Sequence, residues 1–357
     1  MNAAQLLTSL LNELVRRGGS DLFLQTGMPP RIRVDRRVRA LEQFPPVTPS
    51  LMQALITEIM PEAVQAEFRR ELDADFSFEE PGIGRFRVNA YHQKGTPALA
   101  MRRIPESVQT LQDLGLPQEK LLEHLRSSGL FLVTGPTGSG KSTTLASIIE
   151  HFNVTREVNI ITIEDPIEFI FTPRRALISQ RELGTDAKSW SRALRAALRQ
   201  NPDIIMVGEL RDPETISLAL SAAETGHLVL GTLHTRNAPE TIERIVDSFQ
   251  GDRQAQVRAQ LAASLVGILS QRLLPRRGGG MALAYELLFN TDAIASAIRE
   301  GKTHQIRSYM QAGQREGMVE MDRVLEELVR RGIVSPEDAR NVAIRPEQFR
   351  AGIPRFR

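Results

Sequence analysis

Two rhythms of hydrophobic and polar positions divide the chain near residue 104. Before that point, segments such as "DFSFEE" and "GRFRVNAYHQ" alternate with period two, and a helical pattern occupies residues 48–72 after the first helix pattern, "AAQLLTSLLNELVRRGG". Alternating segments predict strands with one face on a core and one face in solvent. We therefore predict a smaller α+β domain at residues 1–104.

After Pro105, Gly115 and Pro117 the rhythm changes to strand, loop, helix. Four near-continuous apolar runs, "GLFLVTG", "VNIITIED", "DIIMVGE" and "HLVLGTLHT", are separated by helical patterns. Such runs are typical of a parallel sheet that helices cover on both faces. Beyond residue 238 we predict mostly helix, with "PRRGGG" as a loop or hairpin tip. The second predicted domain is therefore α/β and covers residues 105–357.

Length and charge agree with two domains and limit the class of protein. The 357 residues exceed most single domains, and 45 basic against 43 acidic residues leave a formal charge of +2. The chain has no cysteine, which excludes disulfides and thiolate metal sites and fits a cytoplasmic protein. Glu13 interrupts the first apolar run, and Gln271 and Arg272 end the longest later one before the roughly 18 to 20 residues of a membrane span. We predict a soluble chain.

The strongest local signal is "LFLVTGPTGSGKSTTLASIIE", which contains the pattern GxxxxGKS between a predicted strand and a predicted helix. Glycines in such a loop let backbone N–H groups turn towards phosphates, and the helix N-terminus favours negative charge. Lys141 is predicted to reach the β and γ phosphates and Ser142 to ligate Mg²⁺, so ATP and Mg²⁺ are the predicted cofactors. The alternative is a chance glycine-rich loop. The predicted nucleotide-binding residues are Gly135, Pro136, Thr137, Gly138, Ser139, Gly140, Lys141, Ser142 and Thr143.

Acidic residues follow two other predicted strands. P-loop nucleotidases usually hold magnesium with an Asp after such a strand, but "IIMVGELRD" has Gly208 at this place and Glu209 next. Glu164 ends the run "ITIEDPIEF". Because ligands bind at the carboxyl ends of parallel strands, Glu164 and Glu209 are both candidates to lie near the γ phosphate. One would orient or deprotonate water while the other works through the magnesium shell.

Other acids and two histidines near these strands have structural alternatives. Asp165 and Glu168 follow Glu164 and could equally cap a helix or pair with an arginine. His227 precedes the strand "LVLGTL" and His234 follows it, so we expect them at opposite ends. His234 lies on the side of the acids and is the candidate for sensing phosphate, whereas a hydrogen-bonded structural role is favoured for His227.

Taken in order, "GPTGSGKST", "ITIEDPIEF", "GELRDPETI" and "TGHLVLGTLHT" resemble the Walker A, Asp box, Walker B and His box of the secretion ATPase superfamily. "GGSDLFLQTGMPPRIRVD" and "GRFRVNAYHQKG" resemble the N-terminal domain of PilT-type type IV pilus retraction ATPases, and "REGKTHQIRSYMQAG" resembles a C-terminal stretch of the same family. The resemblance covers nearly the whole chain. It implies a RecA-like P-loop domain preceded by a PAS-like α+β domain, and a homo-hexamer with the nucleotide between the two domains.

The resemblance also implies roles for the acids. Gly followed by Glu is common in this family, so Gly208 is expected there. Glu209 maps to the Walker B acid, and Glu164 maps to the Asp-box acid that acts on water.

Arginines from the N-terminal domain are further implied to enter the site. Arg87 in "GRFRV" and Arg102 in "LAMRRI" match them best, while the roles of their neighbours Arg85 and Arg103 are not separated by the sequence. Without the resemblance these arginines would be assigned to a solvated sheet face. The run from Arg31 to Arg39 is predicted to be a solvated surface hairpin.

The function implied by the resemblance is a hexameric ATPase motor that powers pilus retraction and twitching motility. It would act in the cytoplasm at the inner-membrane base of the pilus, on a platform protein of that membrane. A pilus assembly or type II secretion ATPase is the alternative within the family, although those proteins are usually longer and often carry a tetracysteine zinc site. A nucleic-acid translocase gains no support from the balanced charge and 5% aromatic residues. A non-hydrolysing regulator disagrees with the intact acids.

One segment departs from the family pattern. Retraction ATPases usually carry AIRNLIRE where this chain has "AIASAIRE" at residues 293–300. Ile294 and Ile298 are kept four residues apart, on one helix face. The Arg and Asn of the family pattern are replaced here by Ala295 and Ser296. The simpler interpretation is that these two positions lie on the surface; the alternative is a divergent or accessory retraction motor.

Overall fold

A computed structural model describes residues 2–34, 37–105, 107–125 and 128–349, and the chain divides into two compact units. The first comprises residues 1–107 with 168–170, and the second comprises 108–167 with 171–357. The domain boundary placed after residue 104 by the sequence stays a prediction.

The first unit is an α+β domain, as predicted. Its elements are α1 (Ala3–Arg16), β1 (Asp21–Gln25), β2 (Arg31–Val34), β3 (Arg37–Ala40), α2 (Pro49–Ile59), α3 (Glu62–Glu71), β4 (Asp73–Glu80), β5 (Gly84–Gln93) and β6 (Thr96–Arg103). The strands form an antiparallel sheet in the order β3-β2-β1-β6-β5-β4. Asn2 caps α1 by accepting from the backbone N–H of Gln5, and α1 buries its leucines in the same core as Leu22 and Met101 of the sheet.

The second unit is a RecA-like α/β domain, with strands alternating with helices. Its elements are α4 (Gln118–His124), β7 (Gly129–Thr134), α5 (Lys141–Thr155), β8 (Asn159–Glu164), β9 (Leu177–Glu182), α6 (Trp190–Ala197), β10 (Ile204–Val207), α7 (Pro213–Glu224), β11 (Leu228–Leu233), α8 (Ala238–Asp247), α9 (Arg253–Ser264), β12 (Leu265–Pro275), β13 (Met281–Phe289), α10 (Asp292–Arg299), α11 (Ile306–Ala312), α12 (Met321–Arg330) and α13 (Pro336–Val342), with short 3₁₀ helices at Thr303–Gln305 and Pro346–Phe349.

The sheet of the second unit has the order β13-β12-β7-β11-β10-β8-β9 and is parallel except for the β12–β13 pair. Every residue of β7, β10 and β11 is buried, which explains why these strands read as continuous apolar runs. The predicted parallel sheet is confirmed.

The prediction of mostly helix beyond residue 238 is wrong for residues 265–289, which form the β12–β13 hairpin. Much of β12 is buried, and an apolar run of this kind does not distinguish a strand from a buried helix. A side chain at Gly267 would approach the carbonyl oxygen of Leu288 to 2.5 Å, so the two strands pack unusually closely there. The segment "PRRGGG" does form the hairpin tip, as predicted. Strand β9 was also missed by the sequence.

Helix α10 corrects the simpler interpretation of the segment that resembles AIRNLIRE. Ile294 and Ile298 are buried on one face, as predicted, but Ala295 and Ala297 are buried as well. Ala295 is 8% exposed, so one of the two positions that lost a polar residue is not on the surface of this chain. The buried face is wider than the i, i+4 pair because α10 also packs along α9. Across the described residues, no helix is long and apolar enough to cross a membrane.

Candidate active site

The sheet order brings the four motifs to one edge. Strands β7, β11, β10 and β8 are consecutive neighbours, and all four run in parallel. Gly135 and His234 directly follow β7 and β11, Glu209 lies two residues after β10, and Glu164 is the last residue of β8. In open α/β sheets ligands bind outside the carboxyl ends of the strands, so this edge is the candidate active site.

The predicted phosphate loop has the backbone shape that its glycines allow. Gly135, Gly138 and Gly140 have φ values of 144°, 76° and 89°, where L side chains are strained. A side chain at Gly135 would also lie 2.5 Å from the carbonyl oxygen of Gln271 and from Oγ of Ser139. Within the part of the chain that the structure describes, no group hydrogen-bonds the buried hydroxyl of Ser139. The glycines therefore allow a tight turn that side chains would strain.

Helix α5 starts in a manner suited to phosphate. Its N-cap residue is Gly140, which provides no side-chain cap, so the first N–H groups of the helix are left for an anion. Nζ of Lys141 donates to the carbonyl oxygens of Gly135 at 2.9 Å and Pro136 at 3.1 Å, which folds this cation over the loop. Ser142 and Thr143 follow in the first turn and are partly exposed, whereas Pro136 and Thr137 are exposed.

Strand β12, which the sequence did not predict, is hydrogen-bonded to the two elements that flank the predicted phosphate loop. Nε2 of Gln271 donates to Oγ1 of Thr144 on α5 at 2.7 Å, with both side chains buried. The hydroxyls of Thr134 and Ser270 lie 2.8 Å apart and join β7 to β12 just before the loop begins. Residues on a hairpin remote in sequence thus fix the phosphate loop.

Glu164 is buried and held by polar neighbours. Glu164 is only 7% exposed. Its carboxylate accepts from Oγ1 of Thr162 at 2.6 Å and from Nε2 of Gln180 at 3.2 Å. Thr162 lies two residues earlier on the same strand, while Gln180 lies on β9. The sequence missed Gln180 because it did not predict β9.

The backbone at Gly208, where other P-loop nucleotidases have an Asp, leaves little room for a side chain. Its N–H donates to the carbonyl oxygen of Ile163 at 2.8 Å. A Cβ at this position would lie 3.2 Å from that same oxygen, 3.2 Å from Cη2 of Trp190 and 3.5 Å from Cα of Glu164. The backbone after β10 therefore passes close to the end of β8, and the first acid of this strand end is Glu209.

Glu209 lies between an arginine and a histidine. One carboxylate oxygen is 2.8 Å from Nη2 of Arg211 and the other is 3.4 Å from Nε2 of His234. Burial favours a raised pKa for the Glu209 carboxyl, but the hydrogen bond and charge of Arg211, together with His234, outweigh burial and lower this pKa. Arg211 has a raised pKa, chiefly because its guanidinium donates a hydrogen bond to Glu209. Arg211 stands in "GELRD", two residues after Glu209, yet its role was missed.

The other acids and the histidines that the sequence singled out near these strands have different surroundings. Asp165 is exposed, and its charge contributes to raising the pKa of Arg211. Glu168 is exposed and belongs to the first unit. His227 and His234 do lie at opposite ends of β11, and Nδ1 of His227 is 2.9 Å from the carbonyl oxygen of Ala222. This contact agrees with the structural alternative for His227.

Arg87 and Arg102 lie directly opposite each other on β5 and β6 of the first unit, and both are exposed. Nε of Arg102 is 2.9 Å from one oxygen of Asp21, and Nε of Arg33 is 3.2 Å from the other. Like charges in directly opposed positions are destabilising, and the buried carboxylate of Asp21 offsets that repulsion. Arg33 belongs to the predicted surface hairpin, and β2 and β3 do form an antiparallel pair.

Comparison with known proteins gives matches along nearly the whole chain. Residues 2–335 match the family model described as "Type II/IV secretion system protein". A Pseudomonas aeruginosa protein described as "Type IV pilus retractation ATPase PilT" is 47% identical over 343 residues, which are 96% of this chain and 99% of that protein. A Neisseria gonorrhoeae "Twitching motility protein" is 46% identical over 323 residues, 90% of this chain and 86% of that protein.

A solved structure gives the same result for the fold. The crystal structure of the pilus retraction motor PilT with bound ADP shares 47% sequence identity and a TM-score of 0.88, and the match covers 95% of this chain and 97% of that one. The resemblance stated from the motifs is therefore confirmed by the whole length of the chain. This chain is an ATP-hydrolysing enzyme and belongs to the type II/IV secretion system protein family, where it is similar to the pilus retraction ATPases.

Proposed function

We propose that this protein is the ATPase motor that powers type IV pilus retraction, and that it acts as a homo-hexamer. The observation that carries the proposal is the assembly of four nucleotide-site motifs at one sheet edge, in a chain that two relatives named for retraction or twitching match over at least 86% of their own length. Its place would be the cytoplasmic side of the inner membrane at the pilus base. Its partner would be the platform protein there, and no nucleic acid is required.

ATP is proposed to bind on residues 135–143. Lys141 would turn from the loop carbonyls to the β and γ phosphates, and the start of α5 would hold the remaining charge. Ser142 and Glu209 provide hydroxyl and carboxylate oxygens, the ligand type that Mg²⁺ prefers. Bound Mg²⁺ would neutralise charge on the phosphate oxygens.

Different roles are proposed for the two acids. We assign the orientation or deprotonation of the attacking water to Glu164, whose buried carboxylate is held in place by Thr162 and Gln180. The lowered pKa of Glu209 keeps its carboxylate ionised, which suits a metal ligand. Glu209 would ligate Mg²⁺. His234, whose Nε2 is 3.4 Å from Glu209, would sense the presence of the γ phosphate.

Arg87 and Arg102 are proposed to neutralise charge that develops on the transferred phosphoryl group, which is a common use of arginine. If they serve a site on another subunit, mixing defective subunits restores complete sites. We expect Lys141→Ala and Arg87→Ala proteins, each inactive alone, to regain partial ATPase activity when co-assembled. No recovery in verified mixed hexamers would show that the arginine serves its own chain.

The direction of the motor is tested by deleting the gene in the cells that carry it. Retraction predicts that surface pili persist or increase while twitching is lost. Cells without pili would contradict the proposal and favour an assembly ATPase. Electron micrographs of surface pili and motility on agar give the two readouts, and the wild-type gene on a plasmid is the control.

A further inference from the structure

A buried carboxylate outside the four motifs borders the active site. Glu286 lies on β13 and is 1% exposed. Its neighbour across the sheet is Ser270, and the next residue in the same row is Thr134, the last residue before the phosphate loop. Glu286 is therefore level with the strand ends that carry the nucleotide motifs, although no motif includes it.

Glu286 accepts hydrogen bonds from the first residues of two helices. It accepts from the N–H of Ala238, the first residue of α8, at 2.8 Å, and the N–H of Met321, the first residue of α12, also stabilises its charge. Helix α12 has no side-chain cap of its own at Glu320. Burial raises the pKa of Glu286, while these N–H groups and Arg307 oppose that effect and Glu320 adds to it. The carboxylate thus fixes two helix starts where a negative charge is favoured.

The start of α8 is closely tied to His234. Three residues, 235–237, separate His234 from Ala238. The buried hydroxyls of Thr235 and Thr241 lie 2.6 Å apart, and the side chain of Asn237 accepts from the N–H of Glu240 at 2.9 Å. The segment and the first turn of α8 therefore form one hydrogen-bonded piece. A shift of Ala238 would be passed on to His234.

We propose that Glu286 is a positioning residue for ATP hydrolysis, which fixes the start of α8 and so holds His234 beside Glu209. The proposal rests on the role proposed above for His234. It also gives the β12–β13 hairpin a second function: Gln271 on β12 supports the phosphate loop, and Glu286 on β13 fixes the start of α8. Glu286 itself contacts neither nucleotide nor water in this assignment.

The test is a double-mutant cycle in the full-length protein with Glu286→Gln and His234→Ala. The Gln variant keeps the side-chain volume but replaces one carboxylate oxygen with an NH₂ group, which cannot accept a hydrogen bond from a backbone N–H. We expect each single variant to lower kcat about tenfold with KM changed less than about twofold, and the double variant to lose no more than the worse single one. If the Gln variant does not fold at the assay temperature, Glu286→Asp takes its place. Asp keeps the carboxyl group but moves it about one methylene away from the N–H groups.

The matched control is Asp322→Asn. Asp322 is also a buried carboxylate, and it accepts from the N–H groups of Ile344 at 2.7 Å and Arg345 at 2.9 Å. Among the residues that the structure describes, it has no hydrogen bond to α8. This variant should lower the melting temperature as Glu286→Gln does, yet keep wild-type kcat. An equal loss of kcat in the control would show that buried carboxylates here act through general stability.

The remaining outcomes also decide the matter. Wild-type kcat in the Glu286 variant, or losses that multiply in the double variant, would overturn the positioning role while leaving His234 in its proposed role. Wild-type kcat in His234→Ala would overturn the role of His234 and this inference together.

Discussion

The ends of β8 and β10 each present a glutamate to the same sheet edge, but the surroundings of the two side chains differ. Glu164 is buried, and a threonine hydroxyl and a glutamine amide donate to its carboxylate. Glu209 has a side chain 20% exposed and lies between Arg211 and His234. The Glu164 carboxylate accepts hydrogen bonds from a hydroxyl and an amide, whereas the Glu209 carboxylate pairs with the guanidinium of Arg211.

This difference agrees with the two chemical tasks proposed for these acids. A carboxylate that accepts protons from water benefits from a position fixed by hydrogen bonds. A carboxylate whose charge is stabilised by an arginine stays ionised at lower pH. It is therefore suited to ligate a metal ion in place of its pairing with the arginine. The comparison predicts that equal substitutions at the two positions will have unequal and distinguishable consequences.

The largest expected effect is that of Glu164→Gln. The amide keeps the volume but is not a base, so ATP turnover should fall by about 10² to 10³ while nucleotide affinity changes little. Phosphate release and a labelled-nucleotide titration measure the two quantities. Glu182 is the matched control, because it is a buried glutamate directly opposite Glu164 on β9.

Glu182 accepts from the N–H of Ile167 at 3.0 Å, and Glu182→Gln should leave turnover within about fivefold of wild type. A similar loss from both glutamines, or normal turnover in Glu164→Gln, would return Glu164 to a structural role.

Glu209→Gln should cost about 10² in turnover and change how activity depends on magnesium. A neutral amide is a poorer ligand for Mg²⁺ than a carboxylate, so the half-saturating magnesium concentration should rise. Titrations at fixed ATP compare this variant with Glu164→Gln, for which no change in the magnesium requirement is expected. If the magnesium requirement rises in Glu164→Gln instead, the two assignments are reversed.

Removing Arg211 should expose the effect of burial on Glu209. The lowered pKa of Glu209 means that its carboxylate is ionised above an unusually low pH and is lost as pH falls through that value. In Arg211→Gln burial is less opposed, the pKa of Glu209 rises, and the acid side of the pH profile of kcat should move to higher pH. Turnover near neutral pH should fall only severalfold.

Arg175 offers a control for Arg211, because its exposed side chain pairs with Glu157 at 2.9 Å. Arg175→Gln should leave the pH profile in place, since exposed ion pairs contribute little. An unshifted profile in Arg211→Gln would contradict the assigned electrostatic role.

The sequence predicted much of this fold, and its failures have physical causes. The core strands β7, β8, β10 and β11 were predicted because burial on both faces makes them continuous apolar runs. The same property hid β12, since "LVGILSQRLL" satisfies a buried helix as well as a strand. Strand β9 has a mixed burial pattern at the sheet edge and gave no periodic signal.

For the site, the sequence predicted the side chains that motifs contain and missed those that support them. Gln180, Gln271, Asp21 and Glu286 lie on strands far along the chain from the groups they hold, so no local pattern marks them. The roles predicted for Arg87, Arg102 and the motif residues stay predictions that the experiments above address.

The smallest expected effect concerns Gly208, which lies between the two glutamates. An added methyl group in Gly208→Ala would sit 3.2 Å from the carbonyl oxygen of Ile163 and 3.2 Å from Cη2 of Trp190, so the ring and the end of β8 must shift by a few tenths of an ångström. We expect a loss of about 1 kcal/mol in unfolding free energy and a change of no more than about threefold in turnover. Trp190→Phe removes one of the two contacting atoms and should reduce part of the cost of the same substitution when the two are combined, as measured by chemical denaturation. If Gly208→Ala costs the same in both backgrounds while turnover collapses, the glycine serves the backbone at Glu209 and not the space beside Trp190.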